Sequence, residues 1–324
     1  MTDSPFPDPG RPRGWRRHRP LLWLAAAMAG LVIVSLIGTV VDHRMLTGLP
    51  IWDKSVKFAL SVAIYAVTWV WLLAGPIRRP RSAWWAGTIA AGALAVEMVI
   101  IVTQIVRGTT SHFNNTTPFD RILFDIMGFS IVVVWVATLV ASLAVVAAPA
   151  ADPARAAAVR WGTALSLTGM AVGFLMFLPA RGAPRPRSIG GAHTVGAPDG
   201  GPGLPFLGWS TAHGDLRIPH FAGIHALQLV PLTLAALELA AAQVPTLRSV
   251  AVRARLVTVA GTSYAAVLAL LTWQAMRGQS IVRPDRWTLV AGLLVAVVAA
   301  AAAVLALRGR RSTAGTAVAL EVSR

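Results

Sequence analysis

Glu97-Met98-Val99-Ile100-Ile101-Val102-Thr103-Gln104-Ile105-Val106-Arg107-Gly108-Thr109-Thr110-Ser111-His112-Phe113-Asn114 passes from an apolar run into a polar loop. Its length and hydropathy fit the second half of a membrane-spanning helix. A carboxylate sits well inside the run, and an amide, a guanidinium and an imidazole follow toward its end. Part of the pattern recurs: Thr103-Gln104-x-x-Arg107-Gly108-x-x-Ser111 is echoed by Thr272-x-Gln274-x-x-Arg277-Gly278-x-Ser280.

Outward from this stretch, the 324 residues are 56% hydrophobic and only 13% charged, which places the chain among membrane proteins. The net charge of +16 comes almost wholly from Arg, with Lys54 and Lys57 the two lysines. Those arginines fall in short clusters between apolar runs, a positive-inside pattern, so no nucleic-acid partner is expected. The absence of cysteine excludes disulfides, thiolate metal sites and thiol catalysis. The Arg, Ala, Gly and Pro bias points to a GC-rich bacterial genome.

The apolar runs predict an all-α polytopic membrane protein of about eight spans, near 21–41, 56–75, 84–106, 121–147, 159–178, 220–243, 254–275 and 287–307. The first follows Arg11 to Arg19 but is too long for a signal-peptide core, so it reads as an uncleaved span. The expected organisation is a disordered tail (1–19), a first four-helix half (20–147), a second half (148–307) and a disordered tail (308–324). The second half holds a long outer loop, 180–218, whose second part should fold back over the helix ends. Arg78, Arg79, Arg81, Arg155, Arg160, Arg248, Arg253 and Arg255 share one side, which predicts a bacterial cytoplasmic membrane with both termini in the cytoplasm.

The Gln-x-x-Arg-Gly echo closes the third and seventh runs. Lys57-Phe58-Ala59 and His220-Phe221-Ala222 open the second and sixth. Both pairings join a run to the one four places later, as two parallel four-helix repeats would.

Glu97 lies near the bilayer midplane, where an ionisable group is a functional candidate by default. If the helix continues, Gln104 and Ser111 share its face. Arg107 and Arg277 precede Gly, so they read either as C-terminal cations beside a C′ glycine or as forks for phosphate or carboxylate. Asp53, Asp120 and Asp285 fit first-turn or capping roles. The leading expectation is an outer-leaflet cationic and amide pocket for a small anion or an amphiphile headgroup. Lys57, Glu97, Gln104, Arg107, Ser111, Arg217, Gln274 and Arg277 would form it, with Lys54 beside them. The alternative is a membrane-embedded enzyme, metal-assisted or quinone-linked, using His112, His213, Asp215, His220 and His225. No spacing signature supports a metal there, His220 and His225 are not an i,i+4 pair, and bis-histidine haem is disfavoured, so no cofactor is expected. Nucleotide, P-loop, dinucleotide and Ser-His-Asp motifs are all missing from the sequence.

Overall fold

The computed structural model describes residues 18–178 and 188–308. Most of the N-terminal tail, the start of the long loop and most of the C-terminal tail therefore lie outside the described residues. Eight long helices follow one another: α1 Arg19–Val41, α2 Asp53–Leu73, α3 Pro80–Val106, α4 Pro118–Val146, α5 Pro153–Val172, α6 Arg217–Ala240, α7 Val250–Met276 and α8 Arg286–Arg308. Strands are confined to two short hairpin pairs, β1 Met45–Leu46 with β2 Leu49–Pro50, and β3 Thr194–Val195 with β4 Gly214–Asp215. The chain is an all-α polytopic membrane protein.

Seven of the helices are long and apolar enough to cross a bilayer. The exception is α5, where the sequence reading placed a span over 159–178. Its helix begins earlier, at Pro153, takes in Arg155 and Arg160, and tightens into a 3-10 turn over Gly173–Phe177. Charge at one end and tightening at the other leave it too polar to count by composition. It nevertheless packs along α6 and α7, as α1 packs along α2 and α3. Contacts between helix ends sort the loops into two sets. Arg78 N–H donates to Ala144 O, and Asp152 and Arg155 reach Arg253 and Glu238, at one end. Loops 42–52, 107–117, 188–216 and 277–285 meet at the other, here called outer, and both termini leave from the inner end.

Every helix starts before its apolar run because the first turn is polar yet helical. Thr117 caps α4, accepting from Asp120 N–H at 3.1 Å, with Pro118 at the first helical position. Asp152 caps α5 from the Ala154 N–H at 2.7 Å, again before a proline. Between α5 and α6 the backbones touch: a Cβ on Gly169 would lie 2.3 Å from Gly223, so no larger residue fits. Large apolar side chains cover the outside, and α8 is buried on little of its surface, as a lipid-facing helix is.

Both copies of the Gln-x-x-Arg-Gly pattern end their helices identically. Gly108 and Gly278 take φ of 74° and 72°, the left-handed C′ conformation that glycine supplies without strain. Gln104 Nε2 donates to Thr110 O at 3.4 Å and Gln274 Nε2 to Ser280 O at 3.0 Å, each six residues on. Alternation of the helices makes a direct prediction. Reporter fusions after Arg79 and after Asn115 should report opposite sides of the membrane; the same side for both would remove α3 as a crossing.

Candidate functional site

The sequence-selected residues fall into three groups. In the first, Arg107 Nη1 donates to Asp120 Oδ1 at 2.5 Å and to Gln104 Oε1 at 2.6 Å, while Gln104 Nε2 donates to Asp120 Oδ1 at 2.9 Å. Gln104 and Asp120 are buried, and the guanidinium lies over the Phe119 ring. The second corner shares the ion pair and the ring contact, with Arg277 on Asp285 and over Trp273, while Gln274 donates to Ser280 O and not to the carboxylate. The two capping carboxylates therefore also neutralise the two forks. Gln104 and Gln274 are both buried, but each is tied within its own corner. Asp215, Ile218, Leu271 and Gln279 close around Gln274 and leave no room for a water molecule beside it.

The second group is a strap. Arg217 grips buried Asp215 through Nε at 2.9 Å and Nη2 at 2.5 Å, and Nη2 also reaches Gly208 O. Lys57 Nζ donates to Phe206 O at 2.6 Å and Leu207 O at 3.3 Å. The loop thus folds back over the helix ends, as the sequence led us to expect.

The third group is where ionisable side chains converge. Lys54, in the first turn of α2, places Nζ 3.0 Å from His112 Nδ1, and Ser111 Oγ lies 3.1 Å from the same nitrogen. On its far side, His112 Nε2 faces Glu97 Oε1 at 3.8 Å. Phe58 packs edge-on against the His112 ring, and the His193 ring stands 6.2 Å away. His193 Nδ1 lies 2.6 Å from Asp199 Oδ2, and Asp199 also accepts from the backbone N–H groups of His193 and Thr194. Phe113, held at a φ of 58°, packs on His193 and walls the cluster on the outer side. Glu97 is 2% exposed and its Oε2 has no hydrogen-bond partner.

One correction concerns the shared face of Glu97, Gln104 and Ser111. The helix ends at Val106, so Ser111 reaches the cluster on a loop, and Gln104 turns to Asp120 instead. A second concerns the alternative metal set. His213 is exposed, Asp215 is taken by Arg217, His220 Nδ1 pairs with Gly169 O at 2.8 Å and His225 Nδ1 with Gln228 Oε1 at 3.3 Å. Only His112 of that set joins the cluster, and the described residues contain no group of three His, Asp or Glu placed to hold one ion. Sequence reasoning passed over His193 and Asp199 because they lie in a Gly- and Pro-rich loop. The short spacing His193-x5-Asp199 was their one signal.

Burial pushes His112 well below its ordinary value of 6.5, and the neighbouring Lys54 charge adds to this. His193 is lowered too, chiefly by burial, with Asp199 opposing. Burial works to raise Asp199, but its hydrogen bonds from His193 and the loop amides outweigh it and hold the carboxyl well below the usual range. Neutral His112 must accept from the Lys54 ammonium at Nδ1, so Nε2 carries the hydrogen and points it at Glu97. Compared with known protein families, with curated proteins and with solved structures, the chain matches none.

Two predictions follow from these groups. Both imidazoles are depressed in the fold, so the unfolded chain binds more protons below about pH 6.5. Their contribution is complete above that pH and is lost as pH falls toward the folded values. Melting in detergent should drop on acidification below pH 6.5, and His112→Gln with His193→Gln should flatten that slope. Second, Arg107→Gln leaves buried Asp120 without its cation. Because Arg107 is 37% exposed, the loss should be near the low end for a charged hydrogen bond, about 1–2 kcal/mol. Arg277→Gln, beside a more exposed Asp285, should cost less, and added anionic lipid should rescue neither.

Proposed function

We propose that this is a multi-pass protein of the bacterial cytoplasmic membrane, both termini cytoplasmic, whose outer-face centre takes up and releases protons. The observation that carries the reading is the alignment of Lys54 Nζ, His112 and Glu97 Oε1, with a hydrogen bond of 3.0 Å on one imidazole nitrogen and an approach of 3.8 Å on the other. An imidazole bonded at both nitrogens passes a proton by exchanging tautomers. Lys54 gives a proton to Nδ1 as Nε2–H moves to Glu97. A charged pair then becomes a neutral amine and a neutral acid, with His112 neutral before and after. The 3.8 Å gap must shorten by about 1 Å to reach hydrogen-bond length. His193 with Asp199 stands next outward and connects the relay to the outer surface.

A small anion or amphiphile headgroup is the ligand we assign to the mouth of this centre. The arginine forks hold carboxylates in direct ion pairs, whereas among the described residues neither Lys54 nor Lys57 makes such a pair. The inner-end arginines support the orientation. The matching Gln104 and Gln274 corners support descent of α1–α4 and α5–α8 from one four-helix unit.

Infrared titration of purified protein tests the relay. A carboxylic C=O band should appear on acidification, vanish in Glu97→Gln and shift its midpoint in His112→Asn. A band unchanged in Glu97→Gln would refute the assignment.

A further inference from the structure

Beneath the outer centre, α2 carries a second polar feature. Lys54, Ser61, Tyr65 and Thr68 recur at i, i+7, i+11 and i+14, which places them on one helical face. Two of its members reach across to α4 and α6, through the apolar core that these helices share. Tyr65 Oη pairs with Thr138 Oγ1 of α4 at 2.8 Å. Gln228 Nε2 of α6 donates to Thr68 Oγ1 at 2.9 Å, and its Oε1 faces His225 Nδ1 at 3.3 Å.

One turn further in on both helices stand Trp69 and Ser142, each four residues after a member of the Tyr65–Thr138 pair. Trp69 is 1% exposed and Ser142 3%, and neither Trp69 Nε1 nor Ser142 Oγ has a hydrogen-bond partner. With Glu97 Oε2 they make three of the six such atoms among the described residues. A buried polar atom at hydrocarbon depth is costly to leave unpaired. Water is the smallest molecule that serves a carboxylate oxygen, an indole N–H and a hydroxyl alike. From Lys54 to Trp69 is about 22 Å of helix, nearly three-quarters of a bilayer core of roughly 30 Å. Ser142 is then four residues from the inner end of α4.

We propose that the seam between α2, α4 and α6 is a hydrated proton path. It joins the Lys54–His112–Glu97 centre to the inner interface past Tyr65, Thr68, Trp69, Thr138, Ser142 and Gln228. The path rests on the proton reading of the outer centre and extends it from local protonation to transfer across the membrane. Each hop hands one proton from a donor oxygen or water to the next acceptor, so nothing is oxidised or reduced. The driving force is the gradient itself.

Proteoliposomes enclosing a pH-sensitive dye, with a potassium diffusion potential set by valinomycin, provide the test. Wild-type vesicles should acidify faster than protein-free ones. Glu97→Gln, Tyr65→Phe and Ser142→Ala should each slow this at least tenfold while melting within a few degrees of wild type. Thr258→Val, on an exposed face of α7, should leave the rate unchanged. Should Tyr65→Phe fail to fold, Ser142→Ala carries the comparison alone. Wild-type flux no faster than protein-free vesicles would overturn the path, and so would flux that Glu97→Gln blocks but Tyr65→Phe and Ser142→Ala do not. In either case a persisting Glu97 infrared band leaves the outer centre standing; loss of that band removes both.

Discussion

Hydrocarbon offers no hydrogen bonds, and that single constraint organises this molecule. Helices satisfy their own backbones, so the chain becomes a bundle of them, and side-chain polar groups must find partners inside it. The two Gln-Arg-Asp corners show how this is met. Each amide lies where it would be expensive alone, and each donates to a carbonyl six residues on; Gln104 is closed in addition by the Asp120 carboxylate at the start of the next helix. A capping residue and an ion-pair partner are there the same side chain, which economises on acids in a chain with few of them.

Where the constraint is left partly unmet, chemistry becomes available. Glu97 has one oxygen facing an imidazole and the other facing no partner, deep in an apolar helix. The protein surrounds it with groups that can change protonation state without large movement: a lysine, a histidine, and a second histidine ordered by an aspartate. Lowered basicity at His112 and His193 keeps both rings neutral near pH 7, able to accept and donate in turn. The strap over 206–217 and the aromatic wall of Phe58 and Phe113 separate this centre from bulk water. Lys54 is thereby held against a ring nitrogen instead of being solvated.

Packing between the helices follows the same economy. α5 and α6 approach through glycine at Gly169 and Gly223, close enough that their backbones seal the contact. α2 meets α4 and α6 through the Tyr65–Thr138 and Thr68–Gln228 pairs, set among apolar side chains of the core that α2, α4 and Leu227 of α6 share.

The sequence alone determined the membrane class, nearly every helix, and the capping of α4, because those depend on local composition and on residues a few positions apart. It also located Glu97, which needs only its depth in an apolar run to stand out. It placed the start of each helix too late, since a capped polar first turn is helical without being apolar, and it read α5 as apolar throughout. Tertiary structure alone decided which polar groups share a site. Lys54 and His112 are 58 residues apart, His112 and His193 further still, and Gln228 meets Thr68 across 160. No spacing rule reaches such distances. The pairing of Arg107 with Asp120 and of Arg277 with Asp285 was equally hidden, because a carboxylate suited to a helix cap reads as fully explained until a guanidinium is seen resting on it.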